Sequence, residues 1–111
     1  MATIVLADDG IEFDGRTPDQ RPLGGVESSV VALMEELARR GHQVTVHNNC
    51  LAPLDHNGVR WRPIADGTPE MADLYIANRG DKLLRLVPGA RRVAFWTHNP
   101  CRYLLKPRYL W

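Results

Sequence analysis

Residues 22–29 of this 111-residue chain read Pro-Leu-Gly-Gly-Val-Glu-Ser-Ser and lead directly into an amphipathic segment that ends at Gly41. They follow an apolar run and a long polar stretch, so the pattern predicts a loop that becomes a helix at Gly24 and Gly25. Glycine lets a ligand approach the backbone closely, and the first N–H groups of a helix attract anions. The stretch therefore predicts a phosphate-binding turn or, on the local pattern alone, an ordinary tight turn with a helix cap.

One side chain in this stretch opposes the binding of a bare phosphate. Glu27 lies in the predicted first helical turn, where its carboxylate already complements the positive end of the helix dipole and repels a second anion. Either Glu27 points aside, or the ligand brings hydroxyl groups as well as phosphate.

Outward from the glycine turn, apolar runs alternate with helical patterns. Continuous apolar runs, typical of strands covered on both faces, occupy residues 3–7, 44–47, 74–77 and 93–97. Residues 59–64 alternate apolar and basic side chains, which predicts an edge strand with one exposed face. Residues 26–40 predict a helix whose apolar face is formed by Val26, Val30, Leu33 and Leu37, with Met34 and Ala38 widening it.

This alternation predicts a single α/β domain over residues 1–111 with a doubly wound parallel sheet. The expected spatial order of the strands is 59–64, 44–47, 3–7, 74–77, 93–97. Ligands of such sheets bind outside the carboxyl ends of the strands. We therefore expect the segments that follow three of the strands to gather into one pocket: residues 8–25, 78–80 and 97–100.

Charge distribution, cysteine content and the length of the apolar runs limit the partners, metal sites and cellular location to be expected. Residues 1–55 hold nine Asp or Glu against four Lys or Arg, and residues 56–111 hold four against ten. This split fits an anionic partner on one face or arginines on solvated helix faces. Cys50 and Cys101 are far apart, so neither a metal site nor a disulfide framework is predicted. Without an apolar run long enough for a membrane span or a signal-peptide pattern, we expect a cytoplasmic protein.

Four stretches, taken in order, resemble the N-terminal half-domain of family-4 retaining glycosyltransferases of the GT-B type. They are residues 23–28 (Leu-Gly-Gly-Val-Glu-Ser), 38–46 (Ala-Arg-Arg-Gly-His-Gln-Val-Thr-Val), 58–61 (Gly-Val-Arg-Trp) and 95–100 (Phe-Trp-Thr-His-Asn-Pro). The glycine turn alone is a weakly specific motif, whereas the ordered set is more specific. The resemblance covers nearly the whole chain and implies a Rossmann-like sheet.

The resemblance also implies a function and a set of site residues. Gly24 and Gly25 would line the cleft near the donor's phosphates, and His98 would close the donor-sugar pocket as the catalytic candidate. The first half-domain of this family mostly holds the acceptor, a glycan, lipid or small molecule, and the second holds the nucleotide sugar. The donor is then a substrate, and no metal or other cofactor is expected. Further acceptor or pocket-lining candidates are Glu27, Asn78, Arg79, Thr97 and Asn99.

Position alone leaves two interpretations of His98 open. Its imidazole would either hydrogen-bond a sugar hydroxyl at the end of a buried strand or bond to the backbone of its own loop.

The chain also departs from the family's pattern. The second half-domain and its paired-glutamate segment are absent, so we expect a truncated first half-domain that transfers no sugar by itself. Residues 102–111 combine basic side chains with Tyr, Leu and Trp. They fit either a peripheral membrane or lipid-acceptor edge or a surface that packs against the missing half-domain. No nucleic-acid-binding motif is present.

Two other classes of function remain as alternatives. A non-catalytic α/β binding or interaction module would share this half-fold. A degenerate signalling receiver domain would explain Asp8-Asp9 after the first strand, Thr97 at the end of the last, and Lys106. However, Asn78 stands where the phosphorylated aspartate would end the central strand, and an amide does not accept a phosphoryl group as a carboxylate does.

Overall fold

The computed structural model describes residues 1–79 and 81–96, and in this part of the chain the apolar runs form one six-stranded sheet. The strands are β1 (Thr3–Ala7), β2 (Gln43–Asn48), β3 (Leu54–His56), β4 (Val59–Pro63), β5 (Met71–Asn78) and β6 (Gly89–Trp96). Their spatial order is β3-β4-β2-β1-β5-β6. All neighbours pair in parallel except β3 and β4. The predicted order of the five parallel strands and the α/β class are confirmed.

The short strand β3 was not predicted, and it changes the environment of β4. Asn57 and Gly58 form a two-residue turn with φ angles of 51° and 81°, as the tight turns of β-hairpins require. This turn folds β3 back along the outer side of β4. The prediction that residues 59–64 form an edge strand is therefore wrong, and Trp61 is completely buried.

Two helices and two 3₁₀ turns connect the strands within the described residues. They are α1 (Thr17–Gln20), α2 (Gly25–Arg39), and the 3₁₀ turns Ile64–Asp66 and Asp81–Arg85. Helix α2 agrees with the predicted helix to within one residue at each end, but its buried face is rotated. Glu27, Val30, Val31 and Met34 are buried, whereas Leu33 and Leu37 pack at the margin of the core and stay partly exposed. This rotation places the carboxylate of Glu27 on the inner face.

The alternation of side chains along β1 places apolar contacts on both faces of the sheet. Ile4 and Leu6 face α2, in a cluster with residues of β2, β4 and β5. Val5 and Ala7 face the opposite side, where they pack with Tyr75 and with Leu83 and Val87 from the segment after β5. The hydroxyl of Tyr75 donates to the carbonyl of Leu83 and ties that segment to the sheet. The inner strands of the sheet are thus covered on both faces, whereas β6 is mostly exposed and Val93 is 50% exposed. The prediction that residues 93–97 form a strand covered on both faces is therefore wrong for the described residues.

The long polar stretch 10–23 is packed against the sheet rather than free in solvent. Phe13 is buried, and its ring meets that of Trp61 edge to face, with centroids 5.6 Å apart. The side-chain amide of Asn48 donates to the carbonyl of Phe13 over 2.8 Å. A Cβ at Gly15 would lie 2.6 Å from Trp61 Nε1, so glycine is needed for this close approach. These contacts fix the segment that leads into α2.

No helix in residues 1–79 and 81–96 is long and apolar enough to cross a membrane. The basic, aromatic residues 102–111, which suggested a membrane edge or a packing surface, lie outside the described residues.

Candidate functional site

The side chain of Asp8 lies at the carboxyl end of β1 and is completely buried. Its Oδ1 accepts hydrogen bonds from Asn78 Nδ2 and from Arg79 Nη2, each 3.1 Å long. Its Oδ2 accepts the backbone N–H of Gly10 at 3.3 Å. The predicted meeting of the segments that follow β1 and β5 is thus confirmed, and a buried carboxylate joins them.

Arg79 adopts an unusual backbone conformation, and its side chain lies at the same edge of the sheet as Asp8. Its φ angle is 67°, a left-handed conformation that costs a non-glycine residue about 1–2 kcal/mol. The backbone N–H of Arg79 donates to the carbonyl of Trp96 over 2.8 Å, and its guanidinium lies against Asp8. A Cβ on Gly10 would lie 2.3 Å from Arg79 Nη2. Gly10 therefore makes room for the guanidinium rather than for a ligand.

Glu27 approaches the same guanidinium from α2. Its Oε2 lies 3.5 Å from Arg79 Nη1, and the side chain of Glu27 is 10% exposed while that of Arg79 is 32% exposed. This oxygen is buried and accepts no hydrogen bond. The structure shows Glu27 turned inward toward the positive charge of Arg79. Asp8, Arg79 and Glu27 together form what we call the edge triad.

The N-terminus of α2 begins beside the edge triad without a side-chain cap. Gly24 is the cap residue, and no side chain bonds to the N–H groups of the first turn. A Cβ on Gly24 would lie 3.1 Å from Glu27 Oε1, whereas a Cβ on Gly25 would meet nothing within 4 Å. Both glycines are exposed. The first turn of α2 is therefore accessible to a ligand.

The structure brings together some of the residues that the sequence indicated. Glu27, Asn78 and Arg79 are in contact through Asp8 and the guanidinium, and Gly24 adjoins them. Asp8 was not predicted as a site residue, although it follows an apolar strand directly, as Asn78 does on the neighbouring strand. The remaining predicted site residues, Thr97, His98 and Asn99, lie outside the described residues.

A groove opens on the same edge of the sheet, beyond the carboxyl ends of β1 and β2. It has a volume of about 720 Å³ and lies between residues 11–21 and 51–54. Arg16, Gln20 and Arg21 contribute polar groups, and Ile11 and Leu51 contribute apolar surface. Gly24 and Gly25 do not line it. The edge thus offers an uncapped helix end and a separate amphipathic groove.

His47 is the penultimate residue of β2, pairs with Ala7 of β1 and is buried. Burial lowers the pKa of its imidazole from the usual value of 6.5, and the positive charge of Arg62 acts in the same direction. The backbone of Gly67 acts on this pKa in the opposite direction. The carbonyl of His47 accepts the backbone N–H of Asp8 over 3.0 Å.

This lowered pKa predicts how stability depends on pH. Below about 6.5 the unfolded chain binds a proton that the folded chain does not yet bind, so the free energy of unfolding falls as pH falls below that value. We expect urea denaturation between pH 7.5 and 5 to show this loss and His47→Gln to reduce it. His56→Gln, which leaves His47 in place, is the matched control. An unchanged slope in His47→Gln would contradict the assignment.

Among the described residues, no group of three or more His, Cys, Asp or Glu side chains is arranged to hold a metal ion. Comparison of the chain with protein-family models, with curated proteins and with solved structures found no match.

Proposed function

We propose that this chain is the N-terminal, acceptor-side domain of a retaining glycosyltransferase that uses a nucleotide sugar. The observation that carries the proposal is the meeting of the uncapped N-terminus of α2 with Arg79 at the carboxyl ends of β1 and β5. In open α/β sheets this is where ligands bind, and a helix N-terminus with accessible backbone N–H groups suits a phosphate. The resemblance of residues 23–28 and 95–100 to family-4 enzymes supplies the reaction class.

The strand order supports a Rossmann-like sheet over the receiver alternative. Counted over the five parallel strands in chain order, the sheet runs 3-2-1-4-5. This is the order of dinucleotide-type sheets, whereas receiver domains have the order 2-1-3-4-5.

The groove between residues 11–21 and 51–54 is the proposed acceptor site. It lies on the same edge of the sheet as the uncapped helix end, so an acceptor in the groove and a donor phosphate at α2 would occupy two separate sites on one edge. Its lining combines charged side chains of both signs with exposed Ile11 and Leu51, which suits an amphipathic or glycosidic acceptor. The charged residues are Glu12, Asp14, Arg16 and Arg21. In this proposal the second half-domain contributes the nucleotide-binding surface, and His98 closes the sugar pocket.

Gly25→Val tests the donor site. The structure leaves open space around a Cβ at this position, so the folded protein accommodates the substitution, while a branched side chain blocks a phosphate at the helix end. In an enzyme that joins this domain to a second half-domain, we expect the KM for the nucleotide sugar to rise about tenfold or more, with a smaller change in kcat. Release of the nucleoside diphosphate is the measurement.

Ala32→Val is the matched control, because it adds the same β-branched group at an exposed position of the same helix. Its KM should stay at the parent value. If Gly25→Val also keeps the parent KM, the glycine pair is only a turn and the donor binds elsewhere. A polypeptide that contains this domain and releases no nucleoside diphosphate from any nucleotide sugar would instead favour the non-catalytic binding module.

A further inference from the structure

The carboxylate of Glu27 can accept hydrogen bonds that none of the described residues donates. Neither of its carboxylate oxygens accepts a hydrogen bond from them, and its Oε2 meets only the guanidinium of Arg79 at 3.5 Å. Only Oε2 is among the buried unbonded atoms, and its charge is met by Arg79. Oε1 accepts no hydrogen bond from the described residues and is the oxygen that can take a further partner. The residue is 7% exposed, so the partner must arrive from a narrow opening.

The opening lies at Gly24. Because a Cβ on Gly24 would stand 3.1 Å from Glu27 Oε1, the hydrogen atom that glycine carries instead leaves this oxygen reachable from the helix end. The same helix end carries the uncapped N–H groups of the first turn. A ligand held by those N–H groups therefore lies next to a carboxylate oxygen that can accept a hydrogen bond.

The charge of the edge triad indicates which ligand fits. Asp8 and Glu27 bring two negative charges and Arg79 brings one positive charge, so the triad is left with a negative charge beside the helix end. That charge opposes a bare phosphate, and it favours a ligand that presents a hydroxyl donor next to its phosphate.

We propose that Glu27 and the N-terminus of α2 together recognise a sugar 1-phosphate group. The first-turn N–H groups bind the phosphate, and a sugar hydroxyl next to it donates to Glu27 Oε1, while Arg79 holds the carboxylate in place. This inference rests on the proposed function, since it uses the same helix end for the donor's phosphate. It adds that Glu27 distinguishes hydroxyl-bearing phosphate esters from simple ones.

The test compares two probes, glucose 1-phosphate and methyl phosphate, which differ in whether hydroxyls accompany the phosphate. Binding to the purified chain is followed by NMR through the backbone amide signals of Gly24 and Gly25. Glu27→Gln should lower the affinity for glucose 1-phosphate about tenfold, because a charge-assisted hydrogen bond is lost. The same variant should raise the affinity for methyl phosphate by about twofold to fivefold, because it removes a negative charge from the helix N-terminus. A role in folding alone would not produce opposite signs.

Two further variants complete the design. Glu36→Gln removes a carboxylate from the exposed end of the same helix and should leave both affinities unchanged. Gly24→Ala keeps all charges but crowds Oε1, so it should weaken the binding of glucose 1-phosphate more than the binding of methyl phosphate. It tests the same contact if Glu27→Gln does not fold.

The outcomes separate this inference from the proposed function. If the parent binds both probes and Glu27→Gln shifts both affinities in the same direction, hydroxyl recognition by Glu27 is overturned while the phosphate site stands. If neither probe shifts the two glycine signals of the parent, the phosphate site and this inference both fail.

Discussion

Trp61→Ala should lower the free energy of unfolding by about 3–5 kcal/mol, the usual cost of removing a buried tryptophan. Trp61 is the largest completely buried side chain of the described residues. It lies at the centre of β4, between β2 and β3, and its ring meets that of Phe13. The substitution therefore opens a cavity and also removes the surface on which the segment 10–23 rests. Urea denaturation followed by circular dichroism is the measurement.

Two further variants serve as comparisons for the loss of stability in Trp61→Ala. Leu51→Ala removes an apolar side chain that is 84% exposed, so its effect should stay within about 0.5 kcal/mol. Trp61→Phe should cost much less than Trp61→Ala, because Trp61 Nε1 is buried without a hydrogen-bond partner and phenylalanine keeps most of the apolar contact. A parent-like denaturation midpoint for Trp61→Ala would contradict the buried position of Trp61 in β4.

The surroundings of Trp61 also show which part of the fold could not be predicted from the sequence. The parallel strands and their order were predictable because each is a separate apolar run and because parallel α/β connections allow few topologies. The enclosure of Trp61 between two strands and against Phe13 was not predictable, since it depends on a three-residue strand, β3, and on a polar loop that folds back over the sheet. Leu54–His56 is too short to show a periodicity. The Asn57-Gly58 turn was visible in the sequence, but its hairpin was not.

The candidate site was predictable in its location and not in its contacts. The rule that ligands bind at the carboxyl ends of parallel strands placed Asn78 and Arg79 at the same edge as the glycine turn. The edge triad depends on the left-handed backbone of Arg79 and on the rotation of α2 that buries Glu27. Neither follows from residue spacing. The repulsion between Glu27 and a phosphate was recognised in the sequence, whereas its partial neutralisation by Arg79 required the structure.

Asp8→Ala is the prediction that tests whether the edge triad holds this side of the sheet together. Removing one partner of a buried ion pair costs about 3–5 kcal/mol, and we expect about 3 kcal/mol here, because the Arg79 side chain is 32% exposed and retains Glu27. The loss arises because Asp8 is the carboxylate that accepts from both Asn78 and Arg79. Asp9→Ala, an exposed neighbour with the same charge, should change the free energy of unfolding by less than about 0.5 kcal/mol. Equal urea midpoints for the two variants would mean that β1 and β5 are joined by their backbone hydrogen bonds alone, and that Arg79 is free to leave Asp8 for a ligand.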